Sequence, residues 1–106
     1  MKVKVYHANN PTFGFGDEDK QPKFPREFTH VADVDVEISV SDDVATISGV
    51  LQDAFRLTNN IEQDWVYNEE VTTFTYDNRS SSVGDVFCIA GDIFRVADCG
   101  FEKLPD

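Results

Sequence analysis

Residues 29–40 constrain the fold most, because their pattern suits one backbone geometry. Val34, Val36, Ile38 and Val40 share one parity, and Asp33, Asp35, Glu37 and Ser39 share the other. A strict period of two puts the apolar set on a buried face and the polar set on a solvated one, which describes a strand in a sheet covered on one side. The period then changes. Ser41 and Asp42-Asp43 supply N-cap chemistry and negative charge for a helix start. Val44, Ile47, Leu51, Ala54, Phe55 and Thr58 follow at helical spacing, and Asn59-Asn60 forms a stop. Gly49 weakens the middle, so the regular helix is expected to begin late, nearer Ser48.

The rest of the chain fits around this pair. Residues 3–7 alternate Val3, Val5 and His7 with Lys4 and Tyr6 and read as a first strand. Residues 9–26 are dense in Asn, Pro and Gly and read as a long loop, of the kind that is functional or mobile. Its three phenylalanines, Phe13, Phe15 and Phe24, are expected to pack back on the domain or on a partner. Residues 61–70 hold no period and embed Trp65, Val66 and Tyr67 among polar residues, as an ordered loop with partly buried aromatics would. Residues 71–76 read as a strand. Residues 86–90 and 93–97 flank Gly91-Asp92 as a hairpin, and Phe101 to Leu104 extends the sheet. The order β–loop–β–α–loop–β–β–β predicts an α+β fold: a single domain over 1–106, with one main helix on a mostly antiparallel sheet and a long N-terminal loop over 9–27.

Size and composition agree with one packed domain. The chain has 106 residues, of which 41% are hydrophobic, including nine Phe; this is enough apolar material for a core. No apolar run approaches the roughly 20 residues of a membrane span, and the first residues lack a signal-peptide core. Nine Lys and Arg face twenty Asp and Glu, for a net charge of −11. Direct nucleic-acid binding is therefore disfavoured, since neutralising phosphates needs basic side chains. The charge is uneven: residues 1–26 carry five bases and three acids, residues 27–106 four bases and seventeen acids. That asymmetry fits a solvated or halophilic surface, or an acidic surface that meets a partner.

Several residues are candidates for chemistry. Cys88 and Cys99 have no partners at metal spacing. A two-residue Gly91-Asp92 turn would set Cys88 against Arg95 and Cys99 against Gly84, so both read as free, mostly buried thiols in a reducing cytoplasm. Arg79-Ser80-Ser81-Ser82-Val83-Gly84-Asp85 combines a guanidinium, three hydroxyls, a glycine and an acid. It reads as a self-bonded turn, or as a loop that recognises an anion or a peptide through Arg79, Ser80, Ser82 and Asp85. Asp33, Asp35 and Glu37 project from one strand face about 6.5–7 Å apart. They form a solvated face, a protein contact or a bridge for a divalent cation, although a strand face does not gather the roughly six to eight oxygens of a calcium loop; with Asp42 and Asp43 the same face could imitate a row of DNA phosphates. Trp65 is a structural anchor or an interface aromatic. His7 and His30 could share a metal only if folding joined them. A Ser-His-Asp triad would need three residues to converge, and no nucleophile elbow is present. No cofactor or metal is expected.

The segments Ala54-Phe-Arg-Leu-Thr-Asn-Asn-Ile, Trp65-Val-Tyr-Asn, Arg79-Ser-Ser-Ser-Val-Gly-Asp-Val, Phe94-Arg-Val and Cys99-Gly-Phe carry a resemblance. Over residues 50–104 the chain resembles small proteins of unknown function from actinobacterial phages and related mobile elements. Their pattern is F-x-L-T-N…W…N…R-S-x-S-V-G-D-V…V…G-[FW]. The resemblance implies a phage accessory protein and transfers no catalytic residues. With the charge, it yields the expectation of a non-enzymatic protein in the host cytoplasm. Such a protein would bind or inhibit a host protein, for instance a DNA-binding or defence protein, through an acidic surface. The alternative is a structural phage protein that assembles through its strand edges, and the oligomeric state stays open.

Overall fold

The fold is seen in a computed structural model that describes residues 2–12, 16, 21–36, 44–59, 71–74, 79–97 and 100–104, with backbone alone for 44–48. Six strands and one helix follow in the order β1 (Lys2–Ala8), β2 (Phe28–Asp35), α1 (Val44–Leu57), β3 (Val71–Thr73), β4 (Val86–Ile89), β5 (Asp92–Val96) and β6 (Phe101–Leu104). All six strands form one sheet, ordered β3-β2-β1-β4-β5-β6, and every neighbouring pair is antiparallel. This is the α+β arrangement that the two periodicities predict. Residues 37–40, 60–70 and 75–78, which include Glu37 and Trp65, lie outside the described residues.

Strand β1 forms because its alternation is clean: Val3, Val5 and His7 are buried while Lys2 and Lys4 are exposed. Its inward residues join Ala32, Val34 and Val36 from the β2 region and Phe87 and Ile89 from β4. Helix α1 closes this face with Val50, Leu51, Ala54 and Leu57, which recur every three or four residues. Phe55 adds ring contacts to Phe87 and Phe101, all with centroids within 6.5 Å. The helix starts at Val44, earlier than the position near Ser48 that Gly49 suggested. Gly49 is exposed and a Cβ there would meet nothing within 4 Å, so its cost is propensity alone and one residue's propensity does not interrupt the helix. At the other end Thr58 Oγ1 donates to the Ala54 carbonyl and Asn59 Nδ2 to that of Phe55, which ends the helix where the asparagines predicted.

Strand β2 departs from strict alternation at one place. The register pairs Val5 with Ala32 and the next residue, Tyr6, with His30, so Val31 is an extra residue. Val31 and Ala32 are both buried, as the two residues of a β-bulge are when they oppose one partner. The bulge inverts the parity before it. His30 therefore shares the outer face with Asp33, and its Nε2 sits 2.8 Å from Asp33 Oδ1.

The C-terminal hairpin also differs from expectation by a register step. Cys88 pairs with Ile93 and Ile89 with Asp92, so the turn residues are Ala90 and Gly91 and Cys88 does not face Arg95. Both turn residues have positive φ, 51° and 87°. This is the type I′ geometry that matches strand twist, and it wants glycine at its second position. The step is two in residue sum, so each side chain keeps its face. Cys88 carries a free thiol and is half-buried; Cys99 lies outside the described residues.

Candidate functional site

Polar residues from three distant parts of the chain meet at one end of the covered face. His7 is the last inward residue of β1, Thr58 follows α1, and Ser81 and Asp85 belong to the turn before β4. Each is at most 4% exposed. Asp85 is the hub. Its Oδ1 accepts from the Ala8 N–H at 3.0 Å and from Arg79 Nη2 at 3.0 Å. Its Oδ2 accepts from the Ser82 N–H at 2.8 Å and from Arg79 Nη1 at 3.0 Å. A buried carboxylate is tolerated when it is paired and hydrogen-bonded in this way. Gly84, with φ 96°, lets the chain close the turn, and its N–H bonds the Val96 carbonyl.

The second layer is a relay of hydroxyls with a fixed direction. Thr58 Oγ1 spends its proton on the Ala54 carbonyl at 2.8 Å, so it accepts from Ser81 Oγ, 2.7 Å away. Ser81 has one proton to give, and so it accepts in turn from His7 Nε2 at 2.9 Å. The proton count thereby places a hydrogen on Nε2 of His7. Asp85 Oδ2 lies 3.9 Å from that same nitrogen.

Ser81, His7 and Asp85 thus do converge, but without the geometry of a triad. In a triad the imidazole takes the serine proton at one nitrogen and bonds the acid through the other. Here one nitrogen faces both partners and donates to the serine, and Ser81 is 2% exposed. Arg79-Ser-Ser-Ser-Val-Gly-Asp is a structural turn that ties β1, the end of α1 and β5 together. Thr58 and Ser81 were missed as partners. The available signal was a hydroxyl at an inward helix position and a histidine on the valine face of β1.

The other face of the sheet is organised differently. Tyr6, successor of Val5 and neighbour of His7, points outward. It stacks on His30 with centroids 4.8 Å apart and meets Phe24 edge-on at 5.1 Å. Phe24 in turn meets Phe28 at 5.5 Å, and His30 meets Phe74 at 5.0 Å. Phe74, 55% exposed, ends this row. Phe24 therefore packs back on the domain as expected, while Phe13 and Phe15 lie outside the described residues. Burial raises the Tyr6 hydroxyl above its ordinary value, with Cys88 and Asp33 adding to the effect. His7 and His30 occupy opposite faces, so the fold does not join them.

Of the candidate acidic row, Asp33 and Asp35 fall on this outer face. Asp33 pairs with Lys4 and Asp35 with Lys2 across β1 and β2. Each acid thus has a base as its direct cross-strand neighbour, which is the favourable pairing and which mutes the negative field. Glu37, Asp42 and Asp43 lie outside the described residues. Arg79, Ser82 and Asp85 are spent on one another, with Ser80 lending its carbonyl to Arg79.

Among the described residues, no group of three or more His, Cys, Asp or Glu is placed to hold a metal ion, and no helix is long and apolar enough to cross a membrane. Comparison with family models, with curated proteins and with solved structures found no match.

Proposed function

We propose that this chain is a non-enzymatic acidic binding protein that captures a basic partner protein through charge. The observation that supports this is where the charge lies. Residues 1–26 carry five bases and three acids, a net of +2, and residues 27–106 carry four bases and seventeen acids, a net of −13. Between Glu27 and Phe55 there are seven acids and no base. A long stretch of one sign suits steered capture of a cationic surface. The phage resemblance adds the setting: an accessory protein in a host cytoplasm, directed at a DNA-binding or defence protein. Because Lys2 and Lys4 face Asp35 and Asp33, imitation of DNA rests on Glu37, Asp42 and Asp43 more than on β2.

Assembly through strand edges is the competing reading; the sheet has two edge strands, β3 and β6, and only at β6 do the charges disfavour self-pairing. A two-fold sheet continuation along β6 keeps outer residues opposite outer residues. Glu102 and Leu104 face outward, opposite Arg95 and Ile93. The two central registers therefore set Glu102 against its own copy or Lys103 against its own copy, and like charges directly opposed repel.

The test is capture from an actinobacterial lysate over a salt series, followed by titration of the captured protein against two variants. Neutralising Glu37, Asp42 and Asp43 together to amides should weaken binding about tenfold, whereas Asp33→Asn with Asp35→Asn should cost less than about threefold. Affinity that ignores salt, or that is the same for both variants and the parent, overturns the reading.

A further inference from the structure

The outer face has a feature that charge capture does not use. Residues 21–28 fold back across the sheet and leave a cleft of about 470 Å³. Its floor is Val86, Ile93 and Leu104, one outward residue from each of β4, β5 and β6. Phe24, Pro25 and Phe28 form the wall. The charged residues that line it are Lys23 and Arg95, with no acid among the described lining residues.

We propose that this cleft binds an amphipathic carboxylate: an aliphatic chain or ring system that ends in one carboxyl group. The volume suits a small organic ligand, and an apolar lining with a few placed polar groups is how such sites are built. The floor comes from three hydrogen-bonded strands and is already formed. The wall is held by main-chain bonds from Glu27 to Lys23, Phe28 to Pro25 and Asn9 to Glu27, and by the Tyr6–Phe24 ring contact.

The carboxylate preference rests on Arg95. Its Nη2 already holds a carboxylate oxygen, Glu102 Oε2, at 2.8 Å. Glu102 belongs to the edge strand and its side chain is 55% exposed, so little besides this contact retains it. A ligand carboxylate can replace it on the guanidinium, one like group for another, while Glu102 turns to solvent. Lys23 on the opposite wall adds a second positive charge. A cationic ligand with the same apolar body meets two like charges instead.

Decanoate and decyltrimethylammonium, both below their micelle-forming concentrations, test this on the full chain by methyl NMR. Decanoate should shift the Val86, Ile93 and Leu104 methyl signals saturably and bind at least about tenfold more tightly than the cation. Arg95→Gln should weaken decanoate about tenfold and tighten the cation, since one of the two like charges is gone, whereas Glu102→Gln should tighten decanoate by removing the internal competitor. Unchanged circular dichroism and melting show that each variant is folded. Absence of saturable shifts, equal binding of the two amphiphiles, or indifference to both substitutions overturns the proposal. None of these outcomes bears on capture of a basic protein, which Glu37, Asp42 and Asp43 test separately.

Discussion

Tyr6 and His7 are consecutive residues of β1 that point to opposite faces, and those faces are stabilised by different physics. His7 enters an enclosed set of hydrogen bonds with Ser81, Thr58 and the Asp85–Arg79 pair. Tyr6 enters a row of rings that water still reaches at Phe74. Hydrogen-bonded burial demands complete partners, because one deletion strands a charge or a donor without water to replace it. Ring packing is graded and loses only the area removed. The covered face is therefore the specific half of the molecule, and the outer face is the adaptable half.

The sharpest way to break this contrast is at Asp85. Asp85→Ala leaves Arg79 and the Ala8 and Ser82 N–H groups without their acceptor, and should cost about 3–5 kcal/mol, read as a chemical-denaturation midpoint shift. A loss below about 1 kcal/mol would mean that the hub is dispensable and the two faces are alike. On the outer face, Phe24→Ala removes a half-buried ring from an exposed segment. It should cost about 1–2 kcal/mol, less than about half the figure for Asp85→Ala, with unchanged cooperativity. Should the two substitutions prove equal, the outer face is as tightly specified as the inner.

Gly49→Ala tests the helix that makes the covered face possible. The site is exposed and its Cβ is unobstructed, so the protein should gain about 1 kcal/mol, visible as a melting temperature higher by several degrees. The smallest effect is at Cys88, which lies outward opposite Lys4. Burial pushes its thiol above the ordinary value and Lys4 pulls it partly back. The fold thus favours the neutral thiol, a contribution present at neutral pH and lost as pH rises through the folded pKa. In a Cys99→Ser background, the pH profile of iodoacetamide alkylation should have its inflection above that of a free thiol, and Lys4→Gln should move it higher. An inflection at or below the free-thiol value would show that water reaches the outer face freely.

Much of the architecture could be read from the residues, and the misreadings have local causes. Two apolar periods, one in β1 and one changing from two to 3.6 near residue 41, predicted the sheet and the helix that covers it. The bulge was present as two adjacent apolar residues, Val31-Ala32, but a period counted from Val34 onward does not detect it. The hairpin register turned on whether glycine takes the first or second place of the turn, and Ala90 adopting positive φ decided it. The polar hub was hidden for another reason. Its members are 74 and 77 residues apart along the chain, and no local pattern says that His7 and Ala8 will meet Ser81 and Asp85. Likewise the acid row on β2 looked unopposed until the register set Lys2 and Lys4 beside it.

The strand order also has a consequence in time. β1 is made first, yet it sits inside the sheet, between β2 and a strand that begins at Val86. During synthesis it can pair with β2 early, but its other edge waits until the residues up to Val86 and beyond have been translated. Closing that gap is a search over about 80 residues, the kind of distant contact that slows folding. Asp85 stands immediately before the late strand and bonds the Ala8 N–H at the end of the early one, so its arrival is a latch as well as a hub. A nascent chain that stops short of it leaves the β1 edge open, with only Lys2 and Lys4 to discourage a stranger from pairing there.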